Sequence, residues 1–234
     1  MNRQYKKFSG RIRRIWLWIL IGIFVSSATP MVLLRYINPP TSSFILQNET
    51  ASGRQASREW QALENISESL QLAVMASEDQ RFPFHYGLDL VQIQNALVAN
   101  EARSRPLGAS TITQQTIKNL FLWGKQSYLR KGIEAWLSVW MELFLPKYRI
   151  LEIYLNIAQW GPTHYGAHIA SNRYFDLDAS LLNDQQAALL AAALPSPGRS
   201  NPGQPTNYLQ ARANALLDDI KRLRQQGYIV GLYL

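Results

Sequence analysis

The chain has 234 residues, 47% of them hydrophobic, and carries 24 Lys and Arg against 16 Asp and Glu, a formal net charge of +8. That apolar content supports a buried core, and the excess of cations favours an anionic partner: nucleic acid, an anionic membrane surface or a phosphorylated substrate. Cysteine is absent, which excludes disulfides and thiolate metal sites and leaves the redox compartment open.

The charge gathers at the start. Arg3, Lys6, Lys7, Arg11, Arg13 and Arg14 crowd the leader over 1–14 with no acid among them, and Ile15–Leu34 (IWLWILIGIFVSSATPMVLL) follow without a charge. A helix of that length rises about 30 Å, the thickness of a bilayer core. A cleaved signal peptide has a shorter apolar region and a small-x-small site. Here the apolar run continues to Arg35, and Ser26-Ser27-Ala28 is the stretch that keeps cleavage open. The pattern predicts a cytoplasmic basic leader over 1–14 and a transmembrane signal-anchor helix over 15–37, weakened but not broken by Pro30. The positive-inside rule then puts everything after Arg35 outside the membrane. Such a domain rarely meets nucleic acid, so that partner is dropped, and the basic charge points to lipid headgroups or a phosphorylated lipid.

Residues 38–59, rich in Pro, Ser, Thr, Gln and Asn with little periodicity, read as a juxtamembrane connector on which Phe44-Ile45-Leu46 are placed to dock. From Trp60 the pattern is helical, giving one domain over 60–234. Ser67 fits the N-cap of SLQLAVMAS, with Leu70, Val74 and Ser77 on one face. That helix ends on Glu78 and Asp79, adjacent carboxylates that are costly beside apolar surface unless solvated, paired or used. Arg81, three aromatics and His85 follow. Asn100–Gly108 (NEARSRPLG) is turn-like. In STITQQTIKNLFLW, read as a helix, Thr111, Gln115 and Lys118 share a face at i, i+4 and i+7. SYLRKGIEAWLSVWMELFL reads as a long amphipathic helix stopped by Pro146, with Arg130 and Glu134 at the i, i+4 spacing of an ion pair. KYRILEIYLNIA is another helix, carrying Glu152 and Asn156 on an otherwise apolar cylinder. DQQAALLAAAL reads as a buried small-residue helix ending at Pro195, and Leu209, Ala213, Leu216, Ile220 and Leu223 mark a last amphipathic helix. No alternating run of strand length occurs, so the predicted fold class is mostly α.

Each polar feature alone has a plain explanation: a solvated helix end, a surface helix face, a helix salt bridge, an asparagine bracing a core. The series is more specific. Glu78-Asp79-x-x-Phe82-x-x-His85-x-Gly87-x-Asp89 is followed by Gly108-Ala-Ser110-Thr111-Ile112-Thr-Gln114-Gln115-x-x-Lys118-Asn119, then Arg130-Lys131-x-x-Glu134, then Ile150-Leu151-Glu152-x-Tyr154-Leu155-Asn156. In order and spacing this set resembles the glycosyltransferase family 51 domain of peptidoglycan polymerases. ASEDQRFPFHYGLD, KNLFLWGKQSYLRKGIEA and LEIYLNIAQWG are most similar to the monofunctional biosynthetic peptidoglycan transglycosylases of Gram-negative bacteria. The likeness covers roughly Trp60–Leu223. Bifunctional relatives continue into a transpeptidase; this chain has no Ser-x-x-Lys and no Lys-Thr-Gly. HYGAHIAS (164–171) and Asp176, which stands where a Gly often follows Tyr-Phe, depart from the family pattern.

The resemblance implies a lysozyme-like, mostly α glycosyltransferase domain behind one transmembrane helix. The implied activity polymerises lipid II disaccharide units into β-1,4 glycan strands, with inversion and release of undecaprenyl pyrophosphate. Glu78 would be the base that takes the proton of the acceptor hydroxyl. Lys118, Arg130 and Lys131 would meet the pyrophosphate, and Glu134 would be the second essential carboxylate. Three roles stay open for Glu134: orienting Arg130 and Lys118, holding a divalent cation, or protonating the leaving oxygen. Asp79, Phe82 and His85 would shape the acceptor pocket. Ser110, Thr111, Gln114, Gln115 and Asn119 would form the donor-side wall, and Leu90–Leu107 would open and close over the moving strand. The sequence requires no cofactor; Mg2+ or Mn2+ at the pyrophosphate is the candidate metal. The implied partners are lipid II, the growing lipid-linked strand, the membrane and other cell-wall synthesis proteins. The implied place is the inner membrane, single-pass, with the catalytic domain periplasmic. Two rival readings are a glycan-cleaving lysozyme-like hydrolase, which has no pyrophosphate for Lys118, Arg130 and Lys131 to hold, and a non-catalytic membrane scaffold, which would not need both glutamates.

Overall fold

A computed structural model describes residues 2–100 and 108–233, with side chains from Arg13 onward. Among the described residues the chain is helical with no β-strand, in agreement with the predicted class. The first helix, α1, runs unbroken over Asn2–Tyr36, so leader and apolar run form one helix through Pro30. Its Arg13–Tyr36 stretch, with a mean hydropathy of 2.1, is long and apolar enough to cross a membrane. Ile15–Leu20 are exposed, whereas Met31 and Leu34 near the other end are buried against the domain.

The segment read as an irregular connector holds a helix, α2 (Ser43–Ser52). Ser42 caps it by accepting from the Ile45 N–H at 3.2 Å, and Gly53 ends it in the left-handed conformation. The helix is held by distant partners. Gln47 Nε2 donates to the Leu122 carbonyl at 3.0 Å, and the Gly124 N–H donates to Gln47 Oε1 at 3.2 Å. Beyond it, Ser57 bridges to the 163–165 turn: its N–H donates to Thr163 O at 2.8 Å and its carbonyl accepts from Tyr165 N at 3.0 Å.

Helix α3 (Glu68–Glu78) starts where the sequence predicts, with Ser67 Oγ accepting from the Leu70 N–H. Every residue from Leu70 to Ala76 is buried, so the middle of α3 runs through the core, while Glu68 at its start is exposed. Next comes α4 (Leu90–Asn100). The first part of the expected moving loop is thus helical, started by Asp89 Oδ1, which accepts from the Val91 and Gln92 N–H groups at 3.0 Å. The remainder, 101–107, lies outside the described residues.

Then follow α5 (Ile112–Phe121), α6 (Tyr128–Phe144) and α7 (Lys147–Ile157). Pro146 separates the last two as predicted, and α5 packs on both. The end of α1 lies on α6: Phe24 meets Trp140 edge-on at 5.1 Å, and Trp136 Nε1 donates to Ser27 Oγ at 3.0 Å. Helix α8 (Ala167–Phe175) ends at Asp176, which sits at φ 54° in the left-handed region. The departure at Asp176 therefore falls where a glycine would be unstrained. Helix α9 (Asp184–Ala193) is capped by Asn183 and Gln186, and its run of alanines lets α3 and α10 (Asn207–Gln225) approach closely. Leu209, Ala213, Ile220 and Leu223 of α10 are buried and Leu216 is half-buried, as their spacing predicts. A single turn, α11 (Tyr228–Gly231), closes the described chain against α3.

Candidate active site

The helical core puts the end of α3 beside α5, and the adjacent carboxylates there part ways. Asp79 turns inward and is buried. Its Oδ2 accepts from the Ile112 N–H at 2.9 Å, and both its oxygens lie within 3.0 Å of His85 Nε2. A carboxylate at the first turn of α5 also suits the helix dipole. Glu78 faces the other way, half-buried. Gln115 Nε2, from α5, donates to Glu78 Oε2 at 2.8 Å, whereas among the described residues Oε1 has only a long contact with Ser77 Oγ at 3.4 Å.

Several motif residues hold this corner together. Thr111 and Gln114 form the capping box of α5, and Thr111 Oγ1 donates to the Gly87 carbonyl at 2.7 Å. Gly87 sits at φ 83°, and a Cβ there would come within 2.8 Å of the Ser138 carbonyl, so only glycine lets this loop close on α6. Phe82 is fully buried, with Lys147 Nζ 4.5 Å above its ring. Lys147 also donates to the His85 carbonyl at 2.6 Å and pairs with Glu142 at 2.8 Å. Glu142 in turn accepts from Thr113 Oγ1 at 2.5 Å. Glu142 and Lys147 were not anticipated as site supports; the signal was a lone acid within the apolar MELFL run.

Two cavities meet at Ser110, which lines both. One, of about 280 Å³, is bordered by Glu78, Asp79, Asp89, Gln92 and Gly108–Thr111 among others. The second, of about 250 Å³, is bordered by Phe44, Ser110, Gln115, Lys118, Arg130, Lys131 and Glu134 among others. Phe44 comes from α2, so the segment next to α1 supplies part of this wall. Asn119, half-buried on α5, lines neither cavity.

The second cavity is cationic. Ser127 Oγ caps α6 by accepting from the Arg130 N–H at 3.1 Å, which sets Arg130 and Lys131 in the opening turn. Arg130 Nη1 meets Glu134 Oε2 at 2.7 Å, and Lys131 Nζ meets Oε1 at 2.5 Å and Ser110 Oγ at 2.9 Å. Both oxygens of the buried Glu134 are thus taken by cations. Arg130 Nε is buried without a hydrogen-bond partner among the described residues. Lys118 lies 5.3 Å from the Phe44 ring centroid. Burial pushes its ammonium below the ordinary lysine pKa of 10.5; Glu134 and Glu78 oppose that shift, while Arg130 and Lys131 add to it. Three cations around one carboxylate, one of them with an unused donor, have the chemistry that suits a compact polyanion. The same donor set does not fit a divalent cation held by the protein alone. Glu134 already holds two cations, which repel a third, and among the described residues no group of three His, Cys, Asp or Glu comes together as a metal site.

Of the thirteen predicted residues, Glu78, Ser110, Gln115, Lys118, Arg130, Lys131 and Glu134 converge on the two cavities. Asp79 and Thr111 border the first cavity while anchoring it, and Phe82, His85 and Gln114 lie behind it.

The family model described as Transglycosylase matches residues 45–221. A protein of Shewanella oneidensis named biosynthetic peptidoglycan transglycosylase is 42% identical over 224 residues, 93% of this chain and 95% of its own. A protein of the same name from Pseudomonas putida is 41% identical over 227 residues, 95% of this chain and 94% of its own. One from Aeromonas hydrophila is 46% identical over 198 residues, 83% of this chain and 84% of its own.

Proposed function

The chain belongs to the transglycosylase family, and from that premise we propose that it is a peptidoglycan glycosyltransferase of cell-wall synthesis that joins lipid II disaccharides into β-1,4 strands. Its mostly α fold is the lysozyme-like fold of that family. The observation that carries the mechanistic part of the reading is the unequal treatment of two carboxylates. Glu134 has each oxygen paired with a cation, so a proton arriving there would have to displace part of that pairing. Glu78 is held at one oxygen by a neutral amide and, among the described residues, is nearly free at the other.

The acceptor sugar, with its GlcNAc 4-hydroxyl, occupies the cavity beside Glu78. The hydroxyl is a weak nucleophile, and Glu78 Oε1 takes its proton as the new C–O bond forms. The donor strand places its pyrophosphate in the cationic cavity. Charge builds on the leaving oxygen, and Lys118, Arg130 and Lys131 already point at that volume, so little reorganisation is needed at the transition state. Glu134 keeps Arg130 and Lys131 from drifting apart in the free enzyme. Base and leaving-group sites on either side of Ser110 agree with an inverting displacement, which needs the two faces of the sugar served separately.

The protein works at a membrane, with α1 crossing it, the leader inside and the domain on the periplasmic side of the inner membrane. The exposed apolar residues of α1 and the basic leader support this. A reporter fused after Leu234 should be active only when exported. For the reaction itself, purified full-length protein in detergent is given labelled lipid II. Polymer is the expected product; shortening of a preformed strand would favour a hydrolase, and no change in either substrate would favour a scaffold. Phosphoglycolipids of the moenomycin type should compete at the cationic cavity.

A further inference from the structure

We propose that Tyr154 is a positioning residue for the base: its hydroxyl holds the Gln115 amide, and the amide holds Glu78 in its working rotamer. The proposal rests on the reading of Glu78 as the base. Three helices are linked in series. Tyr154 on α7 donates from its hydroxyl to Gln115 Oε1 at 3.3 Å, and Gln115 on α5 donates from Nε2 to Glu78 Oε2 at 2.8 Å at the end of α3.

The chemistry of an amide makes the middle link directional. Glu78 as a carboxylate only accepts, so the NH2 end of Gln115 must face it. The carbonyl end then points back toward α7, into the core. An acceptor turned inward is costly unless it is hydrogen-bonded. Tyr154 meets it there: the side chain is buried, and burial, with Glu78 and Asp79 nearby, pushes the phenol well above its ordinary pKa. The hydroxyl keeps its proton and remains a donor.

The rest of the motif on α7 serves the other end of α3. Glu152 and Asn156 lie four residues apart on one face. Glu152 Oε2 accepts from the Leu63 N–H at 3.0 Å; Asn156 accepts from the Gln61 N–H at 2.7 Å and donates to the Gln61 carbonyl at 2.8 Å. Tyr154, two residues from each, is about 200° around the helix from both, at about 100° per residue. One face of α7 therefore pins the strap that leads into α3, and the opposite face sets the side chain that ends it. A substrate-contacting role for Gln115 alone would not call for a buried hydroxyl behind its carbonyl.

The test uses full-length protein in detergent with labelled lipid II and compares Tyr154→Phe, Gln115→Met and the double variant. Phe keeps the ring and its packing, and Met keeps the length of Gln without either polar end. Tyr154→Phe should lower kcat about tenfold with KM for lipid II and the thermal midpoint unchanged. In the Gln115→Met background the same substitution should cost nothing further, because the link it supports is gone. Wild-type kcat in Tyr154→Phe, losses that multiply in the double variant, or a fall in midpoint that tracks the fall in rate would overturn the relay. If Tyr154→Phe does not fold, Gln115→Met alone decides it: wild-type kcat in that variant makes the link to Glu78 dispensable and refutes the relay, and a loss of kcat is the expected result. Glu78→Gln is run alongside. Retained turnover there defeats the base assignment itself, whereas loss there with wild-type Tyr154→Phe defeats the relay only.

Discussion

Replacing Glu134 by Gln should destabilise the free protein and, at the same time, tighten its grip on pyrophosphate. The substitution keeps the volume of the side chain and removes its charge. Glu134 is 2% exposed and Arg130 8%, so the pair they form at 2.7 Å is sheltered from solvent. Removing one partner of such a buried pair costs about 3–5 kcal/mol, because the other charge stays behind unpaired. The Lys131 side chain is 46% exposed, and its 2.5 Å contact with Glu134 adds little, of order 0–1 kcal/mol, once solvent screening is counted. The amide oxygen of Gln still accepts one hydrogen bond, which holds the net loss near the lower bound, about 3 kcal/mol. At roughly 2–4 °C per kcal/mol for a domain of this size, the thermal midpoint should fall by about 6–12 °C. Inorganic pyrophosphate should reverse much of it. With the carboxylate gone, Lys118, Arg130 and Lys131 face the anion uncompensated, and a ligand at 100 times its Kd contributes about 2.7 kcal/mol. The assay is a melting curve in detergent for both proteins over a pyrophosphate series. An unchanged midpoint, or a larger pyrophosphate shift in the wild type than in the variant, would refute the picture of Glu134 as the counter-charge of the cluster.

Glu78→Gln should fold and bind lipid II yet lose polymerisation by about 10²-fold or more, since the amide has no proton affinity at neutral pH; single-turnover coupling of labelled lipid II reads this directly. Arg130→Lys should lower turnover at least about tenfold, about 1.4 kcal/mol of barrier, because an ammonium cannot reproduce the forked contact of a guanidinium. Wild-type turnover with normal folding would remove Arg130 from the site. Lys118 gives a pH signature. Its pKa is lowered by burial from 10.5, so it loses its charge before an ordinary lysine would, and kcat/KM should fall on the alkaline side below pH 10.5. Lys118→Arg should move that limb upward or abolish it. The stability term runs oppositely: between the lowered pKa and 10.5 the unfolded chain holds the extra proton, so this group makes the fold more stable as pH rises through that window. A limb that stays in place in Lys118→Arg would assign it to another group.

What was legible in the sequence was local. Ser67 before an apolar run, Pro146 between two amphipathic stretches and the spacing of Leu209, Ala213, Ile220 and Leu223 each depend on residues within a few turns, and the structure follows them. Helix α2 was not legible because SFILQNETAS has little helical periodicity; Gln47 and Phe44 reaching α5 and its following turn hold it. Helix α4 was missed for a different reason. Asp89 looked like one more motif acid and proved to be a cap, and none of the residues of α4 is buried, so no core-facing stripe announced it.

The candidate site shows the same division more sharply. A motif records which residue types recur at which spacing and is silent on which way each side chain turns. Glu78 and Asp79 are neighbours of one chemical type, yet one borders a cavity and the other is spent on a histidine and a helix N-terminus. Gln114 and Gln115 repeat the case: the first completes a capping box, and the second reaches Glu78. Gln114 and Gln115 are turned about 100° apart around α5, and the chain leaves helical geometry at Asp79, so in each pair one side chain faces a cavity and the other the core. The doubled carboxylate and the doubled glutamine are therefore each a working group with its own support. Changing Asp79 or Gln114 should lower stability and rate together, whereas changing Glu78 should lower rate alone.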